Sequence, residues 1–409
     1  MPAPASAPAA SPSSAPAYPE VALPEPVSTA GQPSPRIGIS GSYGGLNLGD
    51  EAILSAILGS LREARPDAEL VVITRNAEHT RRHQDADRVV RTRDLSRDEV
   101  LPEIERLDLF LLGGGGILYD EESRHYLRDM RLAQERGIPT FTYAIGAGPL
   151  DQVGDRKLVR DVLSRAEGLT VRDQISKRVL EDVGIERPVE VVADPALLLT
   201  PDQFTHAMLA DEGVRDHGRL VGFSVREPGK AAPDLDVAGY HALLAEAADF
   251  VVHRFGADVL FVPIERDDIR HSHAVIGRML AADRAHVLKG NYTPQQLLGL
   301  MDHLDLVVGM RLHFLLFAAL GAVPFLPLPY AAKVTDFVTA LGVPPPARVS
   351  RESAGPLLAA IDRAWDCREQ QRAQLLQRLP EYQDRARRTT GLAVALLARP
   401  VPITRTVAG

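Results

Sequence analysis

Five residues, Gly309-Met310-Arg311-Leu312-His313, set an arginine and a histidine two positions apart directly after the apolar run Leu306-Val307-Val308. The pattern predicts a buried strand handing over to a helix, with both polar side chains at the handover. A histidine alone at a helix start is more often structural than chemical. The pair is harder to dismiss, because burying Arg311 among apolar neighbours demands an anion, and a guanidinium fork suits a carboxylate or a phosphate.

Other apolar runs end in polar groups too. Thr170-Val171-Arg172-Asp173 and Ala193-Asp194-Pro195 each deliver charge at a predicted strand end, and Ser224-Val225-Arg226 repeats the arrangement further along. Taken alone, Arg172 reads as half of a structural ion pair with a neighbouring aspartate. Two glycine-rich segments add backbone that a ligand could approach. The first runs from Gly41 through Tyr43, Asn47 and Gly49 into a helix that Asp50 is expected to cap, with Glu51 behind it. The second, Gly113 to Gly116, ends an apolar strand and precedes Asp120. Four glycines there imply a ligand or another backbone passing close, and a tight strand-to-helix crossing would need them equally.

Neither glycine segment has the spacing of a dinucleotide fingerprint, no Walker lysine is present, and the second strand runs out at Thr74-Arg75 instead of a ribose-binding carboxylate. His271 and His273, with Asp267 and Asp268, come nearest to a metal-ligand cluster, and the polar start of a helix with a solvated face is the better reading. No metal and no cofactor is expected.

Positioning these groups takes an α/β framework. Strands are predicted at 36–40, 69–74, 107–112, 140–145, 169–172 and 189–192, then at 220–225, 259–264, 286–288, 306–309 and 323–328, with helices between. The helix over 50–62 has the clearest stripe, Ile53, Leu54, Ile57, Leu58 and Leu61. Two doubly wound units in succession predict two Rossmann-like domains facing across a cleft, the layout of B-type glycosyltransferases, with ligands beyond the carboxyl ends of the strands. The expected divisions are an Ala/Pro/Ser-rich disordered tail at 1–35, a first domain at 36–210, and a second at 211–352 carrying Arg311 and His313. C-terminal helices and a tail occupy 353–409.

With 409 residues and a formal charge of -8, the chain is a poor match for a nucleic-acid-binding surface. Its single cysteine, Cys367, excludes an intramolecular disulfide and a cysteine-based zinc cluster. No apolar run approaches the roughly 18 residues of a membrane span, and no secretory signal is visible at the N-terminus, so a cytoplasmic location is expected. A homo-oligomer is compatible with all of this.

In order and separation, Gly49-Asp50-Glu51, Gly113 to Gly116 with Asp120, Val171-Arg172-Asp173, Ala193-Asp194-Pro195 and Gly309-Met310-Arg311-Leu312-His313 resemble the polysaccharide pyruvyl transferase family, including its bacterial cell-wall type. The resemblance covers roughly residues 36–341. It implies phosphoenolpyruvate as co-substrate and a sugar acceptor, joined as a pyruvyl ketal with loss of phosphate. On that reading Arg172, Arg311 and Lys333, with the backbone at Gly114 and Gly115, hold the donor. His313 is the general acid or base, and Asp50 activates an acceptor hydroxyl. Asn47, Glu51, Asp120, Asp194 and Arg226 are the acceptor-side candidates. Membrane contact would be peripheral at most, for a lipid-linked acceptor. A nucleotide-sugar glycosyltransferase and a non-catalytic anion- or sugar-binding relative are the competing readings of the same layout.

Overall fold

The computed structural model describes residues 34–214, 218–227, 235–328, 332–343 and 354–398. The tail expected at 1–35 lies almost wholly outside them. The first sheet contains β1 (Arg36–Ser40), β2 (Glu69–Thr74), β3 (Arg88–Arg91), β4 (Leu109–Leu112), β5 (Gly115–Leu118), β6 (Thr140–Ala147), β7 (Gly168–Val171) and β8 (Val189–Val191). Its order is β3-β2-β1-β4-β6-β7-β8, with β5 added against β6. The second contains β9 (Leu220–Ser224), β10 (Asp258–Phe261), β11 (Ala285–Val287), β12 (Leu306–Gly309) and β13 (Phe325–Pro327), in the order β11-β10-β9-β12-β13.

The described pairings are parallel, as buried runs such as Leu-Phe-Leu-Leu in β4 require when helices cover both faces. In each sheet the chain starts in the middle, winds outward, then returns to the other side of its first strand. That reversal leaves a crevice at the strands' carboxyl ends, between β1 and β4 in one sheet and between β9 and β12 in the other. The loops singled out from sequence follow these four strands. The architecture is thus two Rossmann-like domains, as expected.

Apolar packing runs on from one domain to the other. Ile57 and Leu58 of the first helix (Leu48–Ala64), Ala196 and Leu197 after β8, and Phe314 and Leu315 after β12 belong to one buried cluster. The last long helix (Arg368–Val394) spans the same boundary. Near its start Gln371 exchanges two hydrogen bonds with the Phe325 backbone of β13; near its end Thr390 meets the Tyr143 hydroxyl of β6 at 2.5 Å. Of the predicted C-terminal helices, this last one therefore clamps both domains. No helix among the described residues is long and apolar enough to cross a membrane.

Three local expectations change. Asn47, not Asp50, caps the first helix: its side-chain oxygen accepts from Gly49 N at 2.8 Å and Asp50 N at 3.3 Å. The strand expected over 107–112 is shorter, and its glycine run continues into β5 instead of ending the strand. β3, a four-residue edge strand with an arginine at each end, was not expected at all.

Candidate functional site

A cleft of about 1010 Å³ opens between the domains at the carboxyl ends of both sheets. Asp50, Asn47, Arg172, Arg226, Arg311, His313 and Lys333, seven of the residues singled out from sequence, line it. Glu51, Asp120, Asp194, Gly114 and Gly115 do not appear on its wall.

His313 opens the helix Leu312–Leu320 of the second domain, yet its ring lies against the first helix of the other. A Cβ on Gly49 would stand 2.0 Å from His313 Nδ1, so only glycine leaves room for the ring. On the far side, His313 Nε2 is 3.7 Å from Asp194 Oδ2, an ion-pair distance. Asp194 also accepts from Arg172 Nη1 at 3.0 Å and from Ala196 N at 3.1 Å. Burial alone would raise the Asp194 carboxyl, but hydrogen bonding and charge from His313, together with Arg172, hold it well below the usual carboxylate range. Asp194 is thus a permanent anion that orients an arginine from one domain and a histidine from the other. It supports the site from behind.

Arg172 also lies 3.4 Å from Asp173 Oδ2 and turns over the glycines of β5 and β6. A Cβ on Gly116 would be 3.5 Å from Arg172 Nη2 and 3.9 Å from Lys333 Nζ; one on Gly146 would be 2.9 Å from Arg172 Nη2. Two cations from different domains therefore converge over Gly116, the glycine of the run that lines the cleft. The other three have internal reasons to be glycine. Gly113 makes way for the Tyr43 hydroxyl, 1.9 Å from where its Cβ would be; Gly114 packs on Ile53 and the backbone of β6; Gly115 has φ +98° and faces the Asp50 carboxylate. Gly114 and Gly115, expected at the donor, lie off the cleft wall, and Gly116 lines it.

Asp50 projects from the first turn of its helix beside Gly115. Burial raises its carboxyl above the ordinary value, an effect that the charges of His313, Arg172 and Arg75 and a hydrogen bond with Ser42 only partly offset.

Arg311 finds its anion within the chain. Its Nε donates to Asp268 Oδ2 at 3.0 Å, and its Nη2 donates to Asp268 Oδ1 at 2.6 Å and Glu265 Oε2 at 2.7 Å. Asp268 is 1% exposed, and it also accepts from the Ile264 and Glu265 amides. The stretch read as a solvated face is therefore in part a buried anchor. His271 is buried as well and meets His241 at 2.9 Å. Among the described residues no group of three or more His, Cys, Asp or Glu side chains is placed to hold a metal.

The other residues expected on the acceptor side are spread around the cleft, some on its wall and some behind it. Asn47 donates its side-chain amide to Glu265, and Leu48 N donates to Ile264 O at 3.0 Å, so the first helix is tied across the cleft to the loop after β10. Buried Glu51 holds the loop after β1 from behind, accepting from Gly44 N at 2.7 Å and from Gln84 Nε2 at 2.9 Å. Asp120 turns away and accepts from the Asp151 and Gln152 amides. Arg226 stays on the cleft wall after β9. Arg75, Ser42 and Tyr119 also line the cleft, though sequence reasoning gave them no role. An arginine after a strand was a visible signal for the first of them.

The two sheet orders and the interdomain cleft define the B-type glycosyltransferase fold. Solved structures agree. A putative UDP-N-acetylglucosamine 2-epimerase from Listeria monocytogenes superposes with a TM-score of 0.59 at 13% identity, covering 87% of this chain and 94% of that one. The S. aureus MnaA–UDP co-structure gives 0.59 at 11% identity over 87% and 94%. An E. coli structure titled trehalose-6-phosphate bound with UDP-2-fluoro glucose gives 0.53 at 12% over 90% and 100%. At such identities these likenesses describe the fold alone. A comparison with curated protein sequences returns no match. The family is given by sequence: residues 47–331 match the polysaccharide pyruvyl transferase model, and the chain belongs to that family of transferases.

Proposed function

We propose that this enzyme transfers the pyruvyl group of phosphoenolpyruvate to two hydroxyls of a sugar, forming a cyclic ketal and releasing phosphate. The observation that carries the reading is the convergence of Arg172 and Lys333 over Gly116, with His313 and Asp50 beside it. A small trianionic donor needs cations at close quarters, and an arginine fork plus a lysine point charge suit its phosphate and carboxylate.

In this scheme His313 gives a proton to the methylene carbon, which becomes the ketal methyl group. Positive charge develops at the neighbouring carbon. The first sugar hydroxyl adds there while Asp50 takes its proton, the carbon–oxygen bond to phosphate breaks, and the second hydroxyl closes the ring. Of the two hydroxyl protons lost, one balances the new methyl hydrogen and the other leaves with phosphate. Asp194 aims His313, and Arg311, committed to Asp268 and Glu265, fixes the loop that faces the first helix.

Calorimetry on wild type and Lys333→Met tests this without an acceptor. Phosphoenolpyruvate should bind wild type saturably and at least tenfold more weakly to the variant, with UDP-N-acetylglucosamine binding neither. Binding of the nucleotide-sugar in place of phosphoenolpyruvate would overturn the proposal and favour glycosyl transfer, the ligand class named for the structural neighbours.

A further inference from the structure

Arg75 follows β2, and its side chain crosses to the loop after β1. Its Nη2 donates to Ser42 Oγ at 2.6 Å and reaches Ser42 O at 3.4 Å. Both partners are neutral oxygens. The buried Nε has no hydrogen-bond partner, and Arg75 forms no ion pair with a described carboxylate. Arg172 and Arg311 differ, since each is neutralised by aspartates of the chain. Asp50, the carboxylate whose charge Arg75 feels, is not within ion-pair distance, so an anionic ligand would complete the pairing of a guanidinium on the cleft wall. The loop after β1 passes close by, since a Cβ on Gly45 would be 2.6 Å from Arg75 Nη2, and both residues line the cleft. Leu46, at φ +65°, and Tyr119 complete this end of the cleft.

The donor region is elsewhere. Gly116 lies in β5, which continues β4's place against β6, whereas Arg75 rises from β2, two positions away in the order β2-β1-β4. At about 4.8 Å per strand the separation is roughly 10 Å at the backbone, more than a three-carbon molecule spans. Asp50, from the helix after β1, stands between the two. The intervening length suits the sugar whose hydroxyl Asp50 activates.

We propose that Arg75 is an anion subsite for the acceptor, so that the sugar accepted here carries a phosphate or carboxylate group on the side away from the ketal-forming hydroxyls. The inference rests on the donor reading above.

The test is calorimetry on enzyme saturated with phosphoenolpyruvate, using N-acetylglucosamine 1-phosphate, glucuronate and their neutral parent sugars as probes, with wild type, Arg75→Met, Arg75→Lys and Lys333→Met. The phosphosugar or the uronate should bind wild type at least tenfold more tightly than its neutral parent, and the tighter of the two identifies the anion. Arg75→Met should lose that preference while its affinity for phosphoenolpyruvate stays within twofold, and Arg75→Lys should retain part of it, which separates lost charge from misfolding. Equal binding of charged and neutral sugars to wild type would overturn the proposal, as would a preference that survives in Arg75→Met. A tenfold loss of phosphoenolpyruvate affinity in Arg75→Met would also overturn it, by assigning Arg75 to the donor. Should wild type fail to bind phosphoenolpyruvate, the donor reading falls. The same sugar titrations on the free enzyme, with Lys333→Met as the control that keeps the anion preference, then decide the role of Arg75 alone.

Discussion

At Gly49 a single hydrogen separates the first helix from the ring of His313. Alanine would ordinarily favour a helix over glycine by about 1 kcal/mol. Here its methyl group would fall 2.0 Å from Nδ1, and the ring would have to leave Asp194. Gly49→Ala should therefore lower phosphate release at least tenfold in steady-state assays, with phosphoenolpyruvate affinity little changed; wild-type turnover would remove His313 from proton transfer. Asp50 carries a stability signature. Its carboxyl holds a proton more tightly folded than unfolded, so stability falls as pH rises from its ordinary value through its raised one, and at neutral pH the ionised form is the strained one. Asp50→Asn should raise Tm at pH 7 while abolishing turnover, and a lowered Tm would contradict this assignment.

Among the elements, the helix Arg266–Ile276 anchors the arginine at the end of β12 through Asp268. Asp268→Ala removes the buried carboxylate and leaves the Arg311 guanidinium only the more exposed Glu265, so it should destabilise the fold by about 3 kcal/mol in denaturant titrations. The sequence makes most of this framework legible: nearly all the strands, the doubled α/β order and the ends bearing Arg172, Asp194, Arg311 and His313 follow from apolar runs closed by polar residues. What escapes it is pairing at a distance. Asp268 lies 43 positions from Arg311, and a Glu-Arg-Asp-Asp stretch opening a helix has the same local texture whether solvated or buried. β3 was hidden because four residues with arginine at both ends carry too little apolar signal, and β5 because glycine reads as a turn. Asn47 took the cap from Asp50 because the helix begins earlier than its apolar stripe. Arg75 stood at a recognised strand end, and only the cleft reveals that its partners are neutral.

On the scale of the whole molecule, a shared apolar core and one clamping helix join two sheets that could otherwise unfold apart. Scanning calorimetry should show one transition for the intact chain. Thr390→Val, which takes from the buried Tyr143 hydroxyl its partner on the clamping helix and leaves it Ser60, should destabilise by about 1 kcal/mol and shift that transition as a unit; two resolved transitions would show that the helix does not couple the domains. The same union governs timing. His313 belongs to one domain while Asp194, Arg172 and the Gly49 surface it rests on belong to the other, so in the proposed reaction any opening between the domains would also withdraw the proton donor from its alignment. On that proposal departure and reaction would be mutually exclusive, and a donor molecule bound to an opened cleft would be held next to machinery that cannot yet consume it.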